Sequence, residues 1–587
     1  MNMQSLMNWK PTTSACLWQG WARAVVSIVL LGTLPTRLAA LTIARPNFGV
    51  PEFVVSGGVI RVEVKHAAGL NSGQWSAVLM NDLQAWTATV ELAQYGTYVD
   101  NNTVAGYRLT VRVPPGAPPE VHRLVIAHPV GGTATNKNAV SILTSMEADF
   151  YIMHYADPQA ESVDPNNWDT GMYGTHGSLL ELEWHAPGIR LANPRFLFDT
   201  GDELDNNFAT KANYEHHQDH LCGMGVPVLA TRGNNDILTA TDWRATFGVE
   251  TYSITMGSFY ICQKDYNEDN YSTWLQNDYA ASFANPAIKF RLFGQHFNSG
   301  GKAWLPPAGQ SPGLMLVGHG HINQPLQSSP YPILETQQAC NKGAVGFFNF
   351  DKTASGWTCT NLGSPWFQMM SSGATGRLRA QYAVTNNGTA TANSATITNE
   401  LAANFYDGRV RFLMRHAAMG YQVTGGQILA RYAYNSGSSS AVLVKVDIPA
   451  SGNAAVSISR IDANDNGMPD AWEVTCFGST TNPLGAADSD WDHDGQDNLH
   501  EYLAGTSPTD PLSVFKITSV AMDASGKLVL QWLSVAGKSY GIQTATDLLA
   551  GFHDTGGAPI PGTGGIVTKT VTAGSSPTGF YRVFVIP

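Results

Sequence analysis

The chain has 587 residues, 43% apolar and 14% charged, with a formal net charge of −12. That length exceeds what one hydrophobic core serves, and that composition excludes a disordered chain. The acidity is local: residues 462–501 hold ten Asp or Glu and no Lys or Arg, which argues against a general nucleic-acid binder.

Residues 1–40 read as a secretory signal peptide. Lys10 and Arg23 precede the apolar run Ala24 to Leu34, and Leu38-Ala39-Ala40 offers small residues for cleavage. The run is too short to span a bilayer comfortably, and no later segment is long and apolar enough, so no transmembrane span is expected. The expected location is therefore secreted or periplasmic, with a mature chain from about Leu41. Export permits disulfides. Cys222, Cys262, Cys340, Cys359 and Cys476 remain after cleavage, an odd number, and Cys340 with Cys359 is the preferred pair.

Residues 41–146 show short strands and turns. Val59 to Val64 and Tyr107 to Val113 alternate with period two, and the Pro-rich stretch 114–119 separates Val113 from the next run, Val121 to Ile126. An immunoglobulin-like β-sandwich fits, read as a spacer or a surface- or glycan-facing module.

From Glu147 strands alternate with helical stretches at 178–184, 206–220 and 272–283, which predicts layered α/β structure with polar ligand types at the strand ends. Five blocks carry them. They are Phe150 to Gln159 with Asp157, Phe196 to Asp205 with Gly201-Asp202, Val228 to Asp236 with Gly233-Asn234-Asn235, Phe290 to His296, and Leu314 to His321 with Gly318-His319-Gly320-His321. Carboxylates, amide oxygens and imidazoles gathered at strand ends suit divalent ions. Residues 352–400, rich in Ser, Thr, Gly, Ala and Asn, read as an insertion or long loop.

In order and spacing these blocks resemble the calcineurin-like metallophosphoesterase superfamily, with its D-x-H, G-D-x-x-D, G-N-H-[DE], lone His and G-H-x-H. The likeness covers 148 to about 350 and, more weakly, runs on to about 449. It implies a four-layer β-sandwich flanked by helices over residues 147–450, and two divalent transition metals (Fe, Mn or Zn). One metal takes Asp157, Gln159, Asp202 and His321; the other takes Asp202, Asn234, His296 and His319, with Asp202 bridging and a metal-bound hydroxide attacking a phosphate ester. Two positions depart from the pattern. Gln159 replaces a histidine ligand, and Asn235 stands where the family has its catalytic His. An amide donates a hydrogen bond but does not shuttle a proton at neutral pH. The proton must then come from elsewhere, with His176, His185, His216, His217 and His220 as candidates, or the leaving group must be a good one.

Two calcium-loop patterns lie within 460–511. Asp462, Asn464, Asn466, Asp470 and Glu473 occupy positions one, three, five, nine and twelve of the first; Asp490, Asp492, Asp494, Asn498 and Glu501 occupy those of the second. Gly467 and Gly495 allow the turn between ligands. The segment resembles bacterial thrombospondin type 3-like repeats, which implies Ca²⁺. Residues 512–587 read as a small all-β domain. Three functions are compatible with the whole chain. The leading one is an exported phosphoesterase acting on a phosphorylated substrate. The others are a degenerate phospho-ligand-binding protein and a calcium-dependent adhesion or scaffold protein.

Overall fold

The computed structural model describes residues 40–99, 103–159, 178–204, 209–236, 238–267, 273–300, 303–322, 324–336, 344–361, 367–372, 375–549, 551–571 and 579–586. The protein is mostly β, with several sheets and few helices. Among the described residues no helix is long and apolar enough to cross a membrane. The expected signal segment, His176, Asp205 and Cys340 lie outside them, and no disulfide forms among them; Cys359 sits unbridged in the Trp357–Asn361 strand.

The N-terminal region is an eight-stranded path in which the 15-residue Ala85–Val99 strand serves two neighbours. Its first part pairs with Ser76–Met80 and the rest with Thr103–Arg112. A register shift between Val90 and Leu92 lies just inside the second pairing, where a bulge accentuates the local twist. The sheet thereby folds over its own core of Val62, Leu79, Leu109, Leu124 and Ile126. Val121–His128 shows the cause locally, since alternate side chains turn inward along its whole length.

Two six-stranded sheets come next along the chain. In the first, Phe150–Tyr155, Leu197–Asp199 and Val228–Ala230 run parallel. In the second, Phe259–Lys264, Phe290–Gln295, Leu314–Val317 and Ile333–Glu335 run parallel. These strands read as unbroken apolar runs because both faces are covered. Between the sheets lie Ile152, Phe198, Leu229, Ile261, Leu292, Leu316 and Phe348. On the outer side of the first pack helices α1 (Ser178–Ala192), α2 (Lys211–Gly223) and α3 (Ala240–Thr246), through Ile189, Tyr214, Leu221 and Trp243. On the outer side of the second packs α4 (Thr273–Ala284), through Leu275 and Tyr279. The parallel strands present their carboxyl ends together, and that is where the ligand types sit.

Residues 352–400 differ from the sequence expectation. Trp357–Asn361, Leu378–Tyr382 and Ala392–Asn399 are strands. In Ala392–Asn399 the small residues alternate in burial, with Asn393, Ala395, Ile397 and Asn399 inward. Low side-chain bulk hid a period-two pattern that apolarity alone does not display.

The N-terminal region is joined tightly to the two sheets and to the strands beyond them. The Gly49 N–H donates to the Phe247 carbonyl at 2.8 Å and the Ala230 N–H donates to the Gly49 carbonyl at 3.1 Å, covering the edge of Val228–Ala230. On another face Arg411 reaches both Asp82 and Glu120, while Trp86 packs edge-on against Tyr432.

Candidate metal centre

Five of the residues that gather here have left-handed backbone: Asp157 (φ 50), Gln159 (φ 40), Asp202 (φ 62), His319 (φ 75) and His321 (φ 55). L-residues adopt this region sparingly, and such strain persists where surrounding structure enforces it, most often at functional sites. Each lies just past a strand, where the chain turns sharply and aims its side chain across the strand ends.

The loops that carry them interlock. Asp157 N–H donates to the Gly201 carbonyl at 3.1 Å, and Gln159 N–H to the Asp202 carbonyl at 2.7 Å. Asp236 accepts from the N–H groups of Asp202 (2.9 Å), Glu203 (3.0 Å) and Gly233 (2.8 Å) and from the Tyr214 hydroxyl (2.7 Å), fixing the second and third loops together. Gly233 is required by that approach, because a Cβ there would lie 2.1 Å from Asp202 Oδ1.

The residues assigned to the first metal come together. Gln159 Nε2 lies 3.3 Å from Asp202 Oδ2 and 3.4 Å from His321 Nε2, and His321 Nε2 lies 3.3 Å from Asp157 Oδ1. Those assigned to the second do too. His296 Nε2 is 2.9 Å from Asn234 Oδ1 and 3.4 Å from Asp202 Oδ2. Asp202, His296 and His319 each offer a ligand atom within 4.8 Å of the others. Asp202 belongs to both groups.

The donor chemistry fits cations. His296 Nδ1 lies 3.0 Å from the Thr200 carbonyl, to which it donates, so Nε2 of the neutral ring bears a lone pair. That lone pair faces two further acceptors, Asn234 Oδ1 and Asp202 Oδ2, and three converging lone pairs need a proton or a cation among them. Burial pushes the His296 imidazole down, but the Asp202 hydrogen bond and charge, with Asp157, raise it to about 9. Burial pushes the Asp202 carboxyl up, and His296, the Asn235 N–H and Gln159 more than offset that, holding it below the usual carboxylate range. Around them, burial first and neighbouring carboxyls second raise Glu203 to about 8 and Asp236 and Glu335 to about 7. Asp157, Gln159, Asp202, Asn234, His296, His319 and His321 could therefore hold two divalent ions.

Asn235 does not act alone on solvent. Its backbone N–H donates to Asp202 Oδ1 at 2.7 Å and its side-chain amide to Oδ2 at 2.9 Å, so it grips the shared carboxylate from both sides. The candidate proton donors are also elsewhere. His217 is fully buried 2.8 Å from Glu203, and His216 and His220 face each other on α2. His185 is buried in α1.

Sequence reasoning overlooked Asp236, Tyr214, Glu203 and His217 as supports. The Gly-Asn-Asn-Asp run contained the signal for Asp236, a carboxylate one residue past the ligand turn. Nothing local marks Tyr214, whose role arises from helix packing.

A second cluster lies in the calcium-loop region. Both copies have the same backbone: the fourth residue is left-handed (Asp465 φ 62, His493 φ 63), as is the sixth (Gly467 φ 87, Gly495 φ 96). In both, the first Asp accepts from the N–H groups of positions five and six. Short helices Asp470–Phe477 and Asn498–Ala504 carry the last ligands inward. Glu473 is buried, accepting from the amides of Asn464 and Asn466. In the second copy Asp490, Asp492 and Asp494 converge within 4.8 Å. Asp492 Oδ2, Asp494 Oδ2, Asn498 Oδ1 and Glu501 Oε2 are buried without a hydrogen-bond donor. Burial and then Asp492 and Asp494 push the Glu501 carboxyl up to about 7. Orphaned oxygens of this kind fit a hard cation such as Ca²⁺.

No protein-family model matches the chain, and no curated protein matches it. Among solved structures it is similar to a dimetal phosphatase from Danio rerio (10% identity, 35% of this chain and 93% of that one, TM-score 0.26). It is also similar to a predicted phosphoesterase from Streptococcus pneumoniae (11% identity, 36% and 98%, TM-score 0.19). A third is Vps29 complexed with Zn²⁺ from Entamoeba histolytica (10% identity, 36% and 97%, TM-score 0.18). Likenesses this slight carry no assignment; the assignments rest on the residues.

Proposed function

We propose that the protein is an exported, metal-dependent phosphoesterase that hydrolyses a phosphate mono- or diester. The observation that carries this reading is the convergence of Asp202, His296 Nε2 and Asn234 Oδ1, with Gln159, Asp157 and His321 on the other side of Asp202. Two divalent ions bound there supply the charge that polarises a phosphoryl oxygen and acidifies the attacking water. The chain's own residues do the rest. Asp202 is the carboxylate common to both ligand groups, Asn235 and Asp236 fix its position, and Thr200 orients His296. No imidazole occupies position 235, so the reading favours leaving groups that depart without a proton. The same substitution supports a second reading, a site that binds a phosphorylated ligand without cleaving it. Calcium in the 460–511 loops is a separate, structural contribution.

The test is metal analysis of the purified protein together with phosphate release from aryl and alkyl esters. Asp202→Ala is expected to lose both ions and all activity. Two ions retained with no ester cleaved would establish the binding-only reading, and unchanged metal content in Asp202→Ala would overturn the site.

A further inference from the structure

Helix α2 turns Tyr214, His217, Gln218 and Leu221 inward, and all four are buried. At about 100° per residue, His216 points away from that face and is exposed, while His220 lies at its margin and is half-buried. They are one turn apart, and their rings meet edge to face with centroids 4.7 Å apart. Their Nε2 atoms lie 3.2 Å apart and share one proton in a hydrogen bond, which a cation bound between them would replace. Two nitrogens bound to one metal at about 2.0–2.1 Å, subtending roughly 90–110°, lie about 2.9–3.4 Å apart, so the pair already spans one edge of a coordination polyhedron.

We propose that His216 and His220 form a transition-metal site along one side of α2, separate from the centre at the strand ends. Two histidines at i and i+4 on a helix are a sufficient bidentate chelate for a borderline cation such as Zn²⁺, Ni²⁺ or Cu²⁺, and a poor one for Ca²⁺ or Mg²⁺, which prefer oxygen. The flanking carboxylates are drawn off to other partners: Glu215 pairs with Lys211 and Asp219 with Lys137 at 2.5 Å.

The experiment uses the full mature chain carrying Asp202→Ala, which removes the strand-end centre from the count, titrated with Cu²⁺ in calcium-containing buffer. One equivalent is expected, with an electron paramagnetic resonance spectrum showing two equatorial imidazole nitrogens. Adding His216→Gln and His220→Gln is expected to abolish that equivalent, while circular dichroism confirms the fold. Either single change should leave a one-nitrogen spectrum and weaken binding at least tenfold. Unchanged stoichiometry in the triple variant, or fewer than two nitrogens in the parent, would overturn the proposal.

Discussion

Asn235 holds Asp202 through two hydrogen bonds, one from its backbone and one from its amide. Only the second is lost in a side-chain substitution, so the position can be changed without dismantling the turn. Asn235→His would place an imidazole at the strand-end centre in exchange for that amide contact. If the wild-type reaction is limited by protonation of the leaving group, the variant should cleave an alkyl phosphate ester about 10²–10⁴-fold faster. An activated aryl ester, which departs as a stable anion, should gain little. Comparing the two substrates in both proteins separates a chemical rescue from a general change in affinity. Equal gains on both, or none on the alkyl ester, would show that the 235 side chain does not reach the leaving group.

At the scale of elements, the site depends on turns that tolerate no side chain. Gly233 does not have a positive φ, so Gly233→Ala tests space alone. Its Cβ would meet Asp202 Oδ1 at 2.1 Å and Asp202 N at 2.4 Å, with backbone as part of the obstruction. The expected cost is about 1–3 kcal/mol of stability, with loss of bound metal before loss of fold. Thermal melting and metal content measured together check this; a variant with normal values of both would mean that the two loops are not in contact. The Val121–His128 strand offers a pH test. His122 is fully buried, Nδ1 2.9 Å from the Glu120 carbonyl and its ring edge-on to Trp86, with Arg411 also nearby. Burial holds its imidazole at about 4, against 6.5 in the unfolded chain. Between those values the unfolded state takes the proton first, so stability present above pH 6.5 is lost as pH falls, by about 3 kcal/mol in all. The buried carboxyls Glu203 and Asp236 are raised and act in the opposite sense, so the measurement is a difference. Denaturant unfolding of wild type and His122→Asn should differ in slope by one proton across pH 4 to 6.5. Parallel curves would show that His122 charges freely in the fold.

Local pattern exposed some of these elements and concealed others. The strand-end blocks were legible because parallel strands buried on both faces leave long apolar runs, and a ligand type comes directly after each. The strands Leu378–Tyr382 and Ala392–Asn399 were not, since the first is short with charged Arg379 and polar Gln381 in it, and the second is built of Ala, Asn, Ser and Thr around a single Ile397, so neither displays an apolar alternation. The His217–Glu203 pair and the Tyr214–Asp236 bond were illegible for another reason. They join α2 to strand-end loops, and only the packing of the helix decides which of its side chains turn inward.

At the scale of the whole molecule, the calcium-loop region lies between two bodies and is fastened to each. Arg460, buried at the end of Gly452–Arg460, pairs with Asp465 of the first loop, and Arg415 reaches the same carboxylate at 3.1 Å. Gln496 of the second loop donates to the Phe515 carbonyl at 2.7 Å and accepts the Phe515 N–H at 3.3 Å, at the threshold of the C-terminal strands. Buried oxygens in the second loop repel one another unless a cation joins them, so order there should depend on calcium. Each site that binds only the folded state adds about 2.7 kcal/mol at calcium roughly 100-fold above its Kd. Calorimetry on the full chain should therefore find two Ca²⁺, and limited proteolysis should cut between 462 and 511 only after chelation. Glu501→Gln, which removes the charge of the last ligand in the second loop, should reduce the count to one while leaving the first loop protected. If chelation changes neither cleavage nor melting, the hydrogen bonds to Arg460 and Gln496 order the region without metal, and the loops are not calcium sites.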